Sequence, residues 1–153
     1  MKFYNRDQEL ALLSKIEETS MEFAQMTFVV GRRRIGKTSL LLEAYRKHNC
    51  LYFFVAKKNE ALLCMEFVEE VKQKLKVPIF GEIKTFKALF GFLMELSMSR
   101  HFILIIDEFQ DFNTVNASVF SDMQHAWDSY KQESKINLIL CGSVYSMMMR
   151  IFE

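Results

Sequence analysis

The chain has 153 residues, half of them hydrophobic, which suits one domain, residues 1–153, burying about two-thirds of the surface its unfolded form exposes. Twenty Lys and Arg against nineteen Asp and Glu leave a formal charge of +1, so no global field draws the protein onto nucleic acid or an anionic membrane. Cys50, Cys64 and Cys141 are widely spaced in apolar stretches and read as buried thiols in a reducing compartment, not as a disulfide frame or zinc site. The opening residues lack the apolar core of a signal peptide, and no apolar run approaches the ~18 residues of a membrane span, so a cytoplasmic protein is expected.

Asn5 can cap a first helix in which Leu10, Leu13 and Ile16 recur at helical spacing, running to about residue 18. A polar break at Glu18, Thr19 and Ser20 precedes an apolar strand over 26–30. That strand enters Gly31-Arg32-Arg33-Arg34-Ile35-Gly36-Lys37-Thr38-Ser39, and a helix over 37–48 follows, with Leu41, Leu42 and Tyr45 as its inner face. The pattern is G-x-x-x-x-G-K-T between a strand and a helix. Gly31 and Gly36 permit backbone angles that let the loop wrap an anion with its N–H groups, and the helix N-terminus behind them adds its dipole. Phosphate is the natural occupant. Lys37 would reach the β- and γ-phosphates, and the Thr38 hydroxyl would be one ligand of Mg²⁺.

Leu51-Tyr52-Phe53-Phe54-Val55 is apolar on both alternating sets, as a strand covered on both faces would be. Asn59 caps a helix whose Cys64, Phe67, Val68, Val71 and Leu75 share one side, and Pro78 stops it. A further helix after Thr85 carries Phe86, Leu89, Phe90, Leu93 and Leu96 to about residue 98. The strand over 102–106 then ends on Asp107-Glu108, a charged pair at the C-terminal end of a buried strand, where parallel sheets place their ligands. Asp111, Asn113, Thr114 and Asn116 read as a loop. A helix over about 117–131 buries Val119, Met123, Ala126 and Tyr130. A fourth strand over 136–141 closes at Gly142-Ser143, and a last helix starts over 144–152.

Strands alternating with helices argue an α/β fold with a parallel sheet covered on both sides. The glycine loop after the first strand and Asp107-Glu108 after the third then meet at one sheet edge. There Asp107 would hold Mg²⁺ together with Thr38, and Glu108 would be the base that activates the attacking water.

Four blocks resemble the archaeal-type P-loop ATPases of the AAA+/STAND group within the ASCE division. They are the opening Phe3-x-Asn5-Arg6-x-x-Glu9-Leu10-x-x-Leu13, the loop from Gly31 to Ser39, Leu104-Ile105-Ile106-Asp107-Glu108-Phe109-Gln110, and Leu140-Cys141-Gly142-Ser143. The resemblance implies a three-layer P-loop NTPase fold with strand order 5-1-4-3-2, of which the fifth strand, the helical lid and an arginine finger are not in this sequence. It also implies that residues 3–6 lie near the adenine and that Ser143 stands where such proteins carry a γ-phosphate sensor. Ser143 could equally cap the last helix. Arg32, Arg33 and Arg34 occupy the variable loop positions and read as solvated or partner-facing.

The reading is an ATP-binding, Mg²⁺-dependent, slowly hydrolysing switch domain. A module that binds nucleotide or a partner without turnover is the alternative. A P-loop kinase is less favoured, because neither an acceptor site nor an arginine-bearing lid is visible, and the Asn-Lys-x-Asp motif of GTPases does not occur. Nucleic-acid binding has the arginine triplet alone behind it. The first strand, lacking its neighbour in the implied order, is expected to promote self-association or to need a partner.

Overall fold

The computed structural model describes residues 6–31, 36–45 and 48–143, with the side chains of Arg6 and Lys37 outside that description. The expectations for Asn5, residues 3–6, the loop side chains Arg32 to Ile35 and the last helix over 144–152 therefore lie outside the described residues. In chain order the elements are α1 (Arg6–Ser20), β1 (Gln25–Val30), α2 (Lys37–Tyr45), β2 (Cys50–Phe54), α3 (Glu60–Leu75), α4 (Phe86–Leu96) and β3 (Phe102–Asp107). A 3₁₀ turn (Phe109–Asp111), α5 (Phe112–Asn116), α6 (Ser118–Tyr130) and β4 (Ile136–Gly142) complete it.

All strand pairs are parallel, in the order β1-β4-β3-β2. This is the expected 1-4-3-2 arrangement. Period-two alternation sorts each strand's side chains onto two faces. Leu51, Phe53, Leu104, Ile106, Leu138 and Leu140 face α3, α4 and α6, while Ile103, Ile105, Ile139 and Cys141 face α1 and α2. The central strands β3 and β4 are buried at every position, which is why they read as nearly continuous apolar runs, interrupted only by Asn137 in β4 and Asp107 at the end of β3.

The larger face is an aromatic cluster. Phe53 stacks on Phe67 with centroids 4.2 Å apart, and Phe86 lies 5.9 Å from Phe67, 6.0 Å from Phe90 and 4.8 Å from Phe112. Glu60 at the start of α3 ties the helices together: one carboxylate oxygen accepts from Phe86 N at 2.8 Å and the other from Asn116 Nδ2 at 2.9 Å. The predicted inner positions of α3 are all buried.

Several boundaries differ from the sequence reading, each for a local reason. Helix α3 ends before Pro78, because Lys76 turns into the left-handed region (φ 56°) and its N–H bonds back to the Lys72 carbonyl. That is a C-cap closing the helix with no proline needed. In α2 the inner face is Leu40, Leu41 and Tyr45, with Leu42 43% exposed, and the described part of the helix spans Lys37–Tyr45. Strand β2 is an edge strand, so Phe54 is 49% exposed instead of covered on both faces. Its Tyr52 N–H is instead met by Glu70 Oε2 at 2.9 Å. The polar run after Gln110 is not a loop: Asp111 closes the 3₁₀ turn and α5 spans Phe112–Asn116. Phe112, fully buried in the aromatic cluster, pins this short helix despite its polar composition.

At the N-terminal edge of the sheet α1 is tied down by a polar group set into an apolar face. Glu17 is buried, and its Oε1 lies 3.2 Å from His101 Nε2 and 3.1 Å from both Asn137 Nδ2 and Ser20 Oγ. Burial pushes its pKa up, but the hydrogen bonds from His101, Asn137 and Ser20 outweigh it and hold the carboxyl below its ordinary value. Beside it Tyr45 donates to the Leu13 carbonyl at 2.8 Å, locking α2 to α1. Cys64 and Cys141 are buried as read, whereas Cys50, on β2, is only partly buried; burial pushes the Cys50 and Cys64 thiols up to about 12.

Candidate functional site

Parallel register brings Val30, Phe54, Asp107 and Gly142 to the same edge of the sheet, their C-terminal ends. Gly31 N continues the ladder past β1 to the Gly142 carbonyl at 3.2 Å. At the far end of the loop Gly36 takes φ 79°, where an L side chain would be strained. The Gly36 carbonyl accepts from Leu40 N at 2.9 Å, the first turn of α2. Lys37 therefore opens α2 and Thr38 follows it, in the first turn of the helix. Ser39 is exposed. Ser143 stands one residue past Gly142, beyond the strand between β1 and β3.

Thr38 and Asp107, 69 positions apart in sequence, meet. The Thr38 hydroxyl donates to Asp107 Oδ2 at 2.9 Å. The same oxygen accepts from the Tyr52 hydroxyl at 2.5 Å, and Oδ1 accepts from Glu108 N at 2.9 Å. Asp107 is 5% exposed, so a buried carboxylate is satisfied by three donors, as burial demands. Burial, and then the bond to Asp107, push the Tyr52 phenol well above its ordinary pKa.

Glu108 leaves the strand in the left-handed region, φ 55° and ψ 42°. Holding a non-glycine residue there costs about 1–3 kcal/mol, and such positions cluster at functional sites. The turn is fixed by Asp111 N bonding to the Glu108 carbonyl at 2.9 Å. Its carboxylate Oε2 accepts from Gln110 Nε2 at 2.6 Å. Gln110 is buried, and no described residue within hydrogen-bonding range meets its Oε1.

Sequence reasoning passed over two of these residues. Tyr52 stands within an apolar strand run with no mark of its own, although alternation puts it on the face of Ile103 and Ile105, and hence of Asp107. Gln110, two residues beyond Glu108, was used only as part of a motif.

A profile of the ATPase domains found predominantly in Archaea matches residues 3–153. The chain belongs to that family. Among curated relatives, the uncharacterized protein MJECL04 of Methanocaldococcus jannaschii is 31% identical over 147 residues, covering 95% of this chain and 30% of that protein. Among solved structures, the Walker-type ATPase PABY2304 of Pyrococcus abyssi superposes with a TM-score of 0.70 at 20% identity, over 97% of this chain and 48% of that one. Cdc6p from Pyrobaculum aerophilum gives 0.66 at 16% identity, over 99% and 44%. This archaeal-type ATPase domain thus shares the fold of P-loop ATPases and spans less than half the length of each of these relatives. Family and fold make it an ATPase-like domain of the nucleotide-binding class. No described helix is long and apolar enough to cross a membrane.

Proposed function

We propose that the domain binds ATP with Mg²⁺ in the loop from Gly31 to Ser39 and hydrolyses it slowly in the cytoplasm. The observation that carries this reading is the Thr38–Asp107 hydrogen bond at the C-terminal edge of the sheet. It joins the hydroxyl after the loop lysine to a buried strand-end carboxylate, two hard oxygen groups suited to hold Mg²⁺ directly or through its water shell.

The backbone N–H groups over Gly31, Arg32, Arg33, Arg34, Ile35 and Gly36 would cradle the phosphates, with Lys37 as their counter-charge. Thr38 and Asp107 would hold the ion, which would neutralise charge building on the β- and γ-phosphate oxygens. The described residues hold no cluster of three or more His, Cys, Asp or Glu for an all-protein cage. A nucleotide-bound Mg²⁺ needs only one or two carboxylates beside the phosphates. Glu108 would take the proton of the attacking water, and Ser143 would sense the γ-phosphate.

The deciding experiment is a nucleotide titration with and without Mg²⁺, followed by turnover on the same preparation. Tighter ATP binding with Mg²⁺ is expected, with turnover well below the about 1–100 s⁻¹ of working phosphoryl-transfer enzymes. The reason is electrostatic. Among the described side chains the only arginine, Arg100, lies two residues before β3, on the opposite edge from the site, and an arginine supplied in trans contributes on the order of 10³-fold or more. Binding without turnover would select the non-hydrolysing module, and failure to bind ATP would overturn both.

Self-association, or a partner chain along β1, belongs to the same reading. Among the described residues β1 is an edge strand, and Gln25–Val30 carries neither proline nor charge to blunt it. Light scattering over a hundredfold concentration range should show growing mass. A constant monomer would sink the idea.

A further inference from the structure

The Asp107 carboxylate offers about four acceptor positions. Both positions on Oδ2 are filled by hydroxyls, Thr38 Oγ1 at 2.9 Å and Tyr52 OH at 2.5 Å, and one on Oδ1 is filled by Glu108 N at 2.9 Å. The two hydroxyls differ in kind. Thr38 belongs to the loop and helix that would hold the nucleotide, and can donate its proton to Asp107 while a lone pair turns to an ion. Tyr52 belongs to edge strand β2, on the far side of β3 from β4 and the glycine loop. Its phenol crosses from the strand to the carboxylate, and its length is within the 2.5–2.7 Å range of charge-assisted O–H···O⁻ bonds.

Resting on the nucleotide-site reading, we infer that Tyr52 is a positioning residue: it fixes the Asp107 carboxylate and bars Oδ2 from direct contact with the divalent ion. Asp107 is thereby left to act through Thr38 and through the acceptor position on Oδ1 that no described donor fills, on the ion's water shell. That division suits Mg²⁺, which sheds water reluctantly and demands near-octahedral geometry. Removing the phenol oxygen frees an acceptor position on Oδ2 and lets the carboxylate turn. A direct carboxylate bond then becomes available, which favours Ca²⁺, a larger ion that accepts one or two carboxylate oxygens in flexible geometry. The tyrosine thus sets which cation the site prefers, while touching neither nucleotide nor ion.

The test is ATP affinity of the parent chain and Tyr52→Phe in EDTA, in Mg²⁺ and in Ca²⁺. Phenylalanine keeps the ring and the Tyr52 N–H bond to Glu70, and circular dichroism checks the fold. Equal affinities in EDTA are expected, with the Mg²⁺-dependent gain reduced about tenfold, as for loss of one charge-assisted hydrogen bond, and the Ca²⁺-dependent gain kept or raised. A loss by the same factor in all three conditions would mean that Tyr52 only supports the fold, and would overturn the inference. In an Asp107→Asn background, Tyr52→Phe should change the Mg²⁺ gain no further; an additional tenfold loss there also overturns it. A parent with no metal-dependent gain overturns the nucleotide-site reading, and this inference with it. A parent gain that Tyr52→Phe retains in full overturns the role of Tyr52 alone.

Discussion

Lys37→Ala should weaken ATP binding by on the order of 10²-fold, whereas Glu108→Gln should leave binding intact and remove turnover. Lys37 follows Gly36, whose positive φ and carbonyl start the first turn of α2, so its backbone opens the helix next to Thr38, which bonds the strand-end carboxylate. Hydrogen bonds to charged groups contribute about 1.5–3 kcal/mol each. Losing the loop's cation beside two phosphates reaches the upper part of that range. Glu108→Gln keeps the size of the side chain and a carbonyl oxygen for Gln110 Nε2, now 2.6 Å from Glu108 Oε2. The amide cannot accept a proton, so a base contribution of about 10²–10⁴-fold disappears. Isothermal titration calorimetry and phosphate release, run on both variants, separate the two roles. A Glu108→Gln protein that hydrolyses ATP at the parent's rate would show that another group activates water.

The largest effect on stability is expected at Phe86. It is fully buried at the first position of α4, with four aromatic neighbours: Phe53 at 6.3 Å, Phe67 at 5.9 Å, Phe90 at 6.0 Å and Phe112 at 4.8 Å. No single neighbour can move in to fill its place, because Phe53 and Phe67 are already stacked and lie on different elements. Phe86→Ala should therefore cost about 3–5 kcal/mol, a large share of the about 5–15 kcal/mol that holds a typical domain together. For a chain of this length the melting temperature should fall by about 2–4 °C per kcal/mol. The loss should also be felt at the site. Phe112 packs on Phe109, and Phe109 follows Glu108 directly, so the strand-end turn rests on the same cluster. Calorimetric melting of the variant is the check, and a drop of only a few tenths of a kcal/mol would show that the cluster is redundant.

The order of elements and the composition of the candidate site were legible in the sequence because both depend on short-range pattern. The apolar run at residues 102–106, and the one at 136–141 broken only by Asn137, marked the two central strands, since a strand covered on both faces reads as nearly apolar throughout. The G-x-x-x-x-G-K-T spacing and Asp107-Glu108 marked two ends of one site, because glycine, lysine and a strand-end acid answer to phosphate and its cation by chemistry alone. Helix ends and edge effects were less legible. Whether α3 ended at Pro78 or earlier turned on one left-handed residue, Lys76, and whether Phe54 was covered turned on which strand lay at the sheet's edge.

What only the tertiary structure decided are the partners of the charged groups. Tyr52 and Asp107 are 55 positions apart, and Glu17 and Asn137 are 120 apart. A hydrogen bond at that separation leaves no periodicity in the sequence, because it arises from strand register and helix placement, not from local spacing. Pattern therefore specified which residues would be chemically able to act. Parallel pairing of β2 with β3, and the seat of α2 on the same face, specified that Asp107 would be shared between a loop threonine and an edge-strand tyrosine.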